Sequence, residues 1–334
     1  MRQKSARCAA AESGSPSVAG EFDLIDRIAA RTRARGDVVL GIGDDAALLQ
    51  PPVGQQLVVA MDTLNAGIHF PHDTAPDAIG WKALAVNLSD LAAMGAAPAW
   101  CTLSLSLPEP DAAWVDAFFD GFEMLARAHA VALVGGDTTR GPLSVCVTVF
   151  GFVSPGRALR RDAARVDDDI WVSGTPGDAA AALGQWSAGG LRDPALRVRL
   201  DRPTPRVALG LRLSGLAHAA IDISDGLLAD LAHVCRASAV RAEIDVDAVP
   251  ISDALRAAAL EPDTRRALQA SGGDDYELCF TAPVGARDAI VAAALEAGVP
   301  VTRIGRIVKG QGVVATANGA PWTPVRAGWD HFAG

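Results

Sequence analysis

The sequence predicts an α/β protein built of α+β layers. Along most of the chain, short alternating or β-branched runs typical of strands alternate with amphipathic runs of helical length. Half of the 334 residues are hydrophobic, 21% are charged and only 5% are aromatic, which is typical of a soluble α/β chain rich in alanine and glycine. A chain of this length can bury two separate cores, so we expect two domains.

Charge and cysteine usage limit the classes of protein that fit. The net charge of −9 argues against a broad nucleic-acid footprint. No apolar run approaches the roughly 18 residues that a membrane span needs. The five cysteines are scattered and form no C-x-x-C pair, which indicates a reducing, cytoplasmic compartment and no zinc site. Residues 1–19 are small, polar and turn-rich, and we expect them to be a disordered extension without a secretory signal.

In the first half, the longest predicted helix has clear end signals. Pro76 lies near its start, Gly95 at its end, and Pro98 prevents its continuation. The predicted elements are, in order, helix "EFDLIDRIAARTRARG" (21–36), strands "DVVLGIG" (37–43) and "QQLVVAMDTL" (55–64), helix "APDAIGWKALAVNLSDLAAMGAAP" (75–98), strand "AWCTLSLSLP" (99–108), helix "DAAWVDAFFDGFEMLARAHA" (111–130), and strands "VALVGGD" (131–137) and "LSVCVTVFGFV" (143–153).

A stretch rich in Pro, Gly and charge, "SPGRALRRDAARVDD" (154–168), interrupts this pattern. It predicts a boundary between an N-terminal domain (20–156) and a C-terminal domain (157–334). Beyond it we predict strand "DIWVSG" (169–174), helix "DAAAALGQW" (178–186), strand "HAAIDI" (218–223), helix "DGLLADLAHVCRA" (225–237), strand "VRAEIDV" (240–246), a helical stretch (252–270), strand "YELCFTAP" (276–283), helix "RDAIVAAALEAG" (287–298) and strands near 301–307 and 312–317.

Aspartates recur at the ends of these elements. A lone aspartate there is usually a turn or cap residue. Three of them fit that role poorly: Asp62 ends a buried-looking strand, Asp90 lies near the negative end of its helix, and Asp222 interrupts an apolar strand. The acidic positions are Asp44, Asp45, Asp62, Asp90, Asp137, Asp222, Asp225, Asp274 and Asp275.

If these carboxylates converge, their mutual repulsion must be offset. Two unit charges about 4 Å apart repel by about 4 kcal/mol at an effective dielectric constant near 20. Lysines are few, and although arginine ion pairs remain possible, the absence of a His or Cys cluster favours Mg²⁺. Mg²⁺ usually combines few carboxylates with water and phosphate oxygens, which implies a bound nucleotide.

Two glycine turns, "GGDTTRG" (135–141) and "DISDG" (222–226), fit a phosphate ligand. We expect both to expose backbone N–H groups to an anion, with Ser224 capping a helix. "GTPGD" (174–178) predicts only a turn and a helix cap. "GIGDDA" also matches a dinucleotide fingerprint, but its two aspartates would face the pyrophosphate, and Pro51-Pro52 excludes the helix that this fingerprint requires.

With these residues assembled, the sequence resembles the thiamine-monophosphate kinase family, in the superfamily of aminoimidazole ribonucleotide synthetase. The resemblance covers residues 20–332 with its motifs in order. They are "GEFDLIDRI", "GIGDDAALL", "MDTLNAGIHF", "KALAVNLSDLAAMGAAPAW", "GGDTTRGPLS", "RALRRDAARVDDDIWVSGTPGDAA", "AIDISDGLLADLAHV" and "SGGDDYELCFT".

The resemblance implies a two-domain fold whose N-terminal domain forms a β-barrel across a homodimer. It implies direct transfer of the γ-phosphate of ATP to thiamine monophosphate with several Mg²⁺ ions and no catalytic side chain. The implied metal ligands are Asp45, Asp62, Asp90, Asp137, Asp222 and Asp225. Gly136, Asp137, Arg161 and Ser224 would contact ATP, and His69, Asp274 and Trp329 would contact thiamine monophosphate.

This chain departs from the family pattern at two sites. Ala60-Met61 stand where many relatives have Ser-Thr, and Asp274 stands where Glu is frequent. Two other functions therefore stay open. One is a magnesium-dependent synthetase of the same superfamily with another acceptor, and the other is a paralogue that binds Mg·ATP without turnover.

Overall fold

Two large β-sheets with helices packed on them, and a separate two-stranded hairpin, organise the chain in a computed structural model that describes residues 21–189, 193–325 and 328. The predicted extension, 1–19, lies outside the described residues. The helices are α1 (Glu21–Arg31), α2 (Pro76–Ala93), α3 (Ala112–Ala128), α4 (Asp178–Ser187), α5 (Pro194–Asp201), α6 (Val207–Leu213), α7 (Leu227–Ser238), α8 (Asp253–Ala257), α9 (Pro262–Ser271) and α10 (Arg287–Ala297). The strands are β1 (Val38–Leu40), β2 (Leu48–Leu49), β3 (Gln56–Asn65), β4 (Ala97–Leu107), β5 (Ala132–Arg140), β6 (Ser144–Val153), β7 (Asp169–Ser173), β8 (Ala219–Asp222), β9 (Arg241–Asp245), β10 (Leu278–Ala282), β11 (Val301–Val308), β12 (Gly312–Ala317) and β13 (Ala320–Trp322).

The first sheet has the strand order β3-β6-β4-β5. β6 is antiparallel to both β3 and β4, whereas β4 and β5 run parallel. α2 packs on one face, which we call the covered face. On the other, the open face, the β1–β2 hairpin lies against Trp100 and Phe150. β3 and β5 are therefore the two edges of this sheet.

α2 packs between the rest of the first half of the chain (residues 21–156) and the second half (residues 157–325). Pro76 occupies its first turn, and Gly95, at a φ of +65°, follows its C-cap, Met94. The helix is buried on almost every side, because it contacts β3 and β6 of the first sheet as well as α6 and β8 of the second half. It also crosses α3 closely, since a Cβ at Gly80 would lie 1.9 Å from the Phe118 carbonyl oxygen.

The second sheet has the strand order β13-β12-β9-β11-β7-β10-β8. Its pairings are antiparallel except for β12 with β9, and α7 packs against its strands. β8 is an edge strand and ends at Asp222. The second half thus places the carboxyl end of β8 beside α2.

The predicted elements are present, with three differences. The predicted glycine turn at 135–141 is wrong, because β5 continues as a strand to Arg140. Gly136 is required there by close packing: a Cβ would lie 1.8 Å from the Leu103 carbonyl oxygen on β4. The predicted helical stretch at 252–270 is two helices, α8 and α9, and the sequence pattern did not reveal β2, α5, α6 or β13. Among the described residues, no helix combines the length and apolar character needed to cross a bilayer.

Candidate active site

A cleft of about 710 Å³ opens where β3, α2, β8 and the loop before β10 meet. It contains most of the side chains that the sequence nominated. The predicted site residues that line it are Asp62, His69, Asp90, Arg161, Asp222, Ser224, Asp225 and Asp274. A neighbouring cavity of about 540 Å³ shares Asp90 and Arg161 and runs along residues 58–61 of β3. The two cavities adjoin at Asp90 and Arg161, and we call them together the groove.

Four aspartates of the cleft converge from three different elements. Asp62 lies on β3, Asp90 in the last turn of α2, and Asp222 and Asp225 at and just after the end of β8. Burial, together with repulsion from Asp222 and Asp62, raises the pKa of Asp90 to about 8. Burial and Asp62 likewise raise the pKa of Asp222 to about 6, and burial and Asp225 raise the pKa of Asp62. These four carboxylates therefore line one cleft, and the charges of Asp62, Asp222 and Asp225 raise the pKa of neighbouring carboxyls within it.

The charge balance of this cleft favours a bound cation. Arg161 is the one arginine or lysine among the described residues that line it, against five carboxylates. No group of three or more His, Cys, Asp or Glu within residues 21–189, 193–325 and 328 has the spacing to hold a metal ion by itself. Mg²⁺ commonly takes only one or two protein carboxylates and completes its octahedron with water and phosphate oxygens. The oxygen-only donor set therefore fits Mg²⁺ bound together with a phosphorylated ligand.

Two buried polar side chains fix the positions of these aspartates. The Asn87 Oδ1 atom accepts a hydrogen bond from the Asp62 N–H (2.9 Å), and its Nδ2 donates to the Ala83 carbonyl (2.9 Å). Asp230 Oδ2 accepts hydrogen bonds from the N–H groups of Ser224, Asp225 and Gly226, each 3.1 Å long. Both residues act on the backbone that carries the cleft carboxylates.

The contacts of Asp230 correct one expectation from the sequence. The N–H groups of the "DISDG" turn were expected to attract a phosphate, but this internal carboxylate already binds three of them. Burial raises the pKa of Asp230 to about 7, with repulsion from Asp222 and Asp225 adding to it. Ser224 still lines the cleft, so its contribution to ligand binding would come from its side chain.

One end of the cleft is built around Asp274, next to residues 222–226, which we call the acidic loop. The N–H of Asp274 donates to the Ser224 carbonyl (2.8 Å), which places it directly beside the acidic loop. Its Oδ1 accepts a hydrogen bond from the Tyr276 hydroxyl (3.1 Å) and lies 3.2 Å from the ammonium of Lys82. Asp274 and Tyr276 both have positive φ angles, +67° and +51°, a conformation that is costly outside glycine and is concentrated at functional sites.

His69 approaches the same end of the cleft from the first half of the chain. Its Nδ1 accepts a hydrogen bond from the Asn65 N–H (2.9 Å), which fixes the ring on the loop after β3. Its carbonyl accepts a hydrogen bond from Lys82 Nζ (2.9 Å). No role was predicted for Lys82 from the sequence, although a lysine within an otherwise apolar helix indicates a buried charge that needs a partner.

Asp45, Gly136 and Asp137 do not line this cleft. The register Asp62↔Val147↔Leu103↔Gly136 puts Asp137 on the opposite face of the sheet from Asp62. The two strands are also about 14 Å apart, which is three strand spacings. Asp45 is exposed in the loop between β1 and β2, the hairpin that packs on the same open face. Trp329 lies outside the described residues.

Comparisons with known proteins identify both halves of the chain. Residues 43–153 match the family model "AIR synthase related protein, N-terminal domain", and residues 165–318 match "AIR synthase related protein, C-terminal domain". The chain is 47% identical to thiamine-monophosphate kinase of Escherichia coli (strain K12), over 94% of this chain and 98% of that protein.

Solved structures agree with this relationship. The crystal structure of thiamine-monophosphate kinase from Stenotrophomonas maltophilia K279a is 59% identical with a TM-score of 0.84, covering 90% of this chain and 98% of that one. The structure of AaThiL complexed with AMPPCP and TMP is 33% identical with a TM-score of 0.75, covering 94% of this chain and 97% of that one.

Proposed function

This chain belongs to the thiamine-monophosphate kinase family of AIR synthase related proteins, and we propose that its cleft transfers the γ-phosphate of ATP to thiamine monophosphate with the help of Mg²⁺. The observation that carries the proposal is the placement of Asp274 beside the acidic loop, through the 2.8 Å hydrogen bond from its N–H to the Ser224 carbonyl. This contact supports the proposal, because the carboxylate that would bind the acceptor then lies next to those that would hold Mg²⁺, as a transfer between two phosphates requires.

Each end of the groove has a distinct task in this proposal. Arg161, which lines both cavities, would bind the phosphates of ATP, and Ser224 would contact the same nucleotide. Asp62, Asp90, Asp222 and Asp225 would hold Mg²⁺, which supplies charge neutralisation for the phosphates. The AMPPCP and TMP bound by AaThiL support one ATP site and one acceptor site in the same protein.

At the acceptor end, His69 and Asp274 would orient thiamine monophosphate, and Trp329 is the aromatic that the family pattern adds to this end. An oxygen of the acceptor phosphate forms a bond to the γ-phosphorus as the bond from that phosphorus to the β–γ bridging oxygen breaks, and ADP leaves. The acceptor phosphate is already ionised near neutral pH, so the protein needs no general base. Catalysis then rests on alignment and charge stabilisation.

We further propose that the active form is a homodimer in the cytoplasm, with the domain boundary at 156/157. Leu57, Val59 and Met61 on the open face of edge strand β3 are 49%, 53% and 62% exposed, and an apolar row of this kind is typical of an interface. A barrel closed by a second copy would cover them. The four cysteines within the described residues are free thiols, which is consistent with a reducing compartment.

A dimer would also give a place to the predicted residues that the cleft of one chain does not contain. Asp45 and Asp137 belong to the open-face side of the first sheet, and Gly136 directly precedes Asp137 on β5. In our proposal they complete the ligand set in the cleft of the partner subunit. A mixture of Asp62→Asn and Asp137→Asn subunits tests this, because each mixed dimer then contains one cleft with both defects and one intact cleft.

Random exchange of these subunits would restore about a quarter of the wild-type activity from two inactive variants, since half of the dimers are mixed and one of their two sites is intact. If a single chain supplied both aspartates, mixing would restore nothing. Size-exclusion chromatography with light scattering, on wild type and on Met61→Glu, shows whether the dimer exists and whether it depends on the apolar row.

The test of the activity is incubation of the purified chain with ATP and Mg²⁺, with and without thiamine monophosphate, followed by chromatography of the thiamine and adenine products. We expect equal amounts of thiamine diphosphate and ADP, formed only with thiamine monophosphate and abolished by EDTA. Asp62→Asn should lower turnover and raise the Mg²⁺ requirement. Asp288→Asn removes an exposed carboxylate outside the cleft and should leave both unchanged.

Two outcomes would contradict the proposal. ADP formation that ignores thiamine monophosphate would point to another acceptor, and nucleotide binding without ADP would identify a paralogue that lacks turnover. Ala60 and Met61, which line the second cavity, would be the first residues to restore to Ser and Thr in the second case.

A further inference from the structure

Lys82 is a fully buried cation that links the two halves of the chain. Its side chain has 0% exposure and lies on α2, yet its ammonium contacts groups from both halves. It donates a 2.9 Å hydrogen bond to the carbonyl of His69, on the loop after β3. It also forms a 3.2 Å ion pair with Oδ1 of Asp274, on the loop before β10. Both contacts belong to residues assigned to the acceptor end of the cleft.

The location of Lys82 argues against direct contact with a ligand. Cations in phosphoryl-transfer sites normally reach the phosphates themselves, but Lys82 is not among the residues that line the cleft. A buried lysine is rare unless its charge is paired, and this one has an oxygen partner in each half of the chain. Its contacts therefore act on the residues that face the acceptor rather than on the acceptor.

The contacts of Asp274 show what this pairing does. Lys82 and the Tyr276 hydroxyl both approach the same oxygen, Oδ1, in the described part of the chain. Fixing Oδ1 from two directions fixes the plane of the carboxylate, and its second oxygen, Oδ2, is left to accept hydrogen bonds or positive charge from a ligand. The strained backbone at Asp274 and Tyr276 is held by main-chain hydrogen bonds, from the Asp274 N–H to the Ser224 carbonyl and from the Tyr276 N–H to the Ile223 carbonyl, each 2.8 Å long.

We propose that Lys82 is the positioning residue of the acceptor site: it sets the Asp274 carboxylate against the His69 loop so that Asp274 can bind the amino or cationic group of the acceptor. This inference rests on the proposed kinase function. Because Lys82 acts at one end of the groove only, its loss should weaken binding of the acceptor and leave the nucleotide end nearly intact.

The decisive variant is Lys82→Met, which keeps the length of the apolar stem and removes the ammonium. We expect the KM for thiamine monophosphate to rise roughly 10- to 100-fold, the range for loss of hydrogen bonds to a charged group. The KM for Mg·ATP should change less than about threefold. Lys82→Arg retains the charge and should recover part of the affinity for thiamine monophosphate. Thermal unfolding of each variant, in the full chain, shows that it is folded.

A matched control separates positioning from loss of contact between the halves. Asp77 lies on the same helix and forms an ion pair with Arg202 from the other half, but neither residue lines the cleft. Asp77→Asn should therefore leave the KM for thiamine monophosphate unchanged. If Asp77→Asn and Lys82→Met raise that KM equally, the effect is a general loosening of the two halves and the inference is wrong.

A double-mutant cycle with Asp274→Asn tests the route of the effect. If Lys82 acts through Asp274, the double variant should be no worse than the weaker-binding single variant. Additive losses would overturn this. Wild type is assayed first with thiamine monophosphate: absence of product there refutes the kinase function, whereas a working wild type with an unchanged KM in Lys82→Met refutes only the role of Lys82.

Discussion

Replacing Asp90 with Asn should stabilise the metal-free protein while it inactivates the enzyme. The charged form of Asp90 is disfavoured in the folded protein, since burial and the charges of Asp222 and Asp62 raise its pKa from 3.8 to about 8. Arg161 offsets only part of this. Asn has nearly the same shape but no charge, so the substitution removes the repulsion without leaving a cavity.

The magnitude and its sign follow from linkage between protonation and folding. Between pH 3.8 and 8 the folded protein binds the Asp90 proton more tightly than the unfolded chain does, so stability falls as the pH rises through this window. At 1.36 kcal/mol per pKa unit, ionisation of Asp90 lowers the free energy of unfolding by roughly 2 kcal/mol at pH 5 and by roughly 4 kcal/mol at pH 7. This loss of stability becomes constant above pH 8. It belongs to Asp62, Asp90 and Asp222 together, because the charge on each one affects the protonation of the others.

The assay is thermal unfolding of wild type and Asp90→Asn in EDTA across pH 5 to 8.5. Asp90→Asn should unfold several degrees higher at pH 8, at about 2 °C per kcal/mol for a chain of this size, and the gap should narrow toward pH 5. Mg²⁺ with AMPPCP should stabilise wild type more than the variant. In the kinase assay the variant should lose roughly 100-fold or more in kcat.

Parallel stability curves of the two proteins across this pH range in EDTA, or a lower stability of Asp90→Asn than of wild type at pH 8, would refute this explanation. In that case the carboxylates would not repel one another in the folded chain. Retained kcat at the wild-type Mg²⁺ concentration would instead remove Asp90 from the metal ligands.

Three other substitutions test the supports behind the cleft. Asn87→Leu removes the hydrogen-bond acceptor of the Asp62 N–H, so it should lower the free energy of unfolding by about 1–3 kcal/mol in chemical denaturation and should also lower kcat. An unchanged kcat would show that this hydrogen bond does not set the position of Asp62. Asp230→Ala leaves three backbone N–H groups without their acceptor, so it should also lower the free energy of unfolding by about 1–3 kcal/mol and speed up hydrogen exchange at residues 224–226. Unchanged exchange there would show that Asp230 does not hold these N–H groups. Arg206→Met removes one of the two arginines that pair with the fully buried Glu277, and it should lower the free energy of unfolding by about 3–5 kcal/mol. Adding Glu277→Gln to Arg206→Met should recover part of this loss, whereas equal unfolding midpoints for Arg206→Met and wild type would show that the pair does not stabilise the fold.

Local sequence signals predicted most of the elements. Pro76 and Gly95 placed the ends of α2 to within a few residues, because fixed φ at the start and a positive φ at the end are local backbone properties. The same signals misled at 135–141. There glycine is required by the close approach of β5 to β4, and that approach depends on which strands pair rather than on any local pattern.

The candidate site was predicted in part for a similar reason. Asp62, Asp90 and Asp222 could be singled out because a carboxylate at the end of a buried strand or helix is unfavourable on local grounds alone. Periodicity gives the face of a residue only relative to its own strand, however. That Asp137 lies on the opposite face from Asp62 follows from the register of β3, β6, β4 and β5.

Local patterns in the sequence were enough to predict most of the strands and helices, the oxygen-rich chemistry at their ends and the family. The folded arrangement was needed to show which aspartates share one cleft, that Asp230 accepts hydrogen bonds from the N–H groups expected to hold phosphate, and that Lys82 contacts both His69 and Asp274. The difference comes from the sequence separation over which each interaction acts. Capping, turns and amphipathicity depend on neighbours within a few residues, whereas a buried charge finds its partner through contacts between segments far apart in the chain.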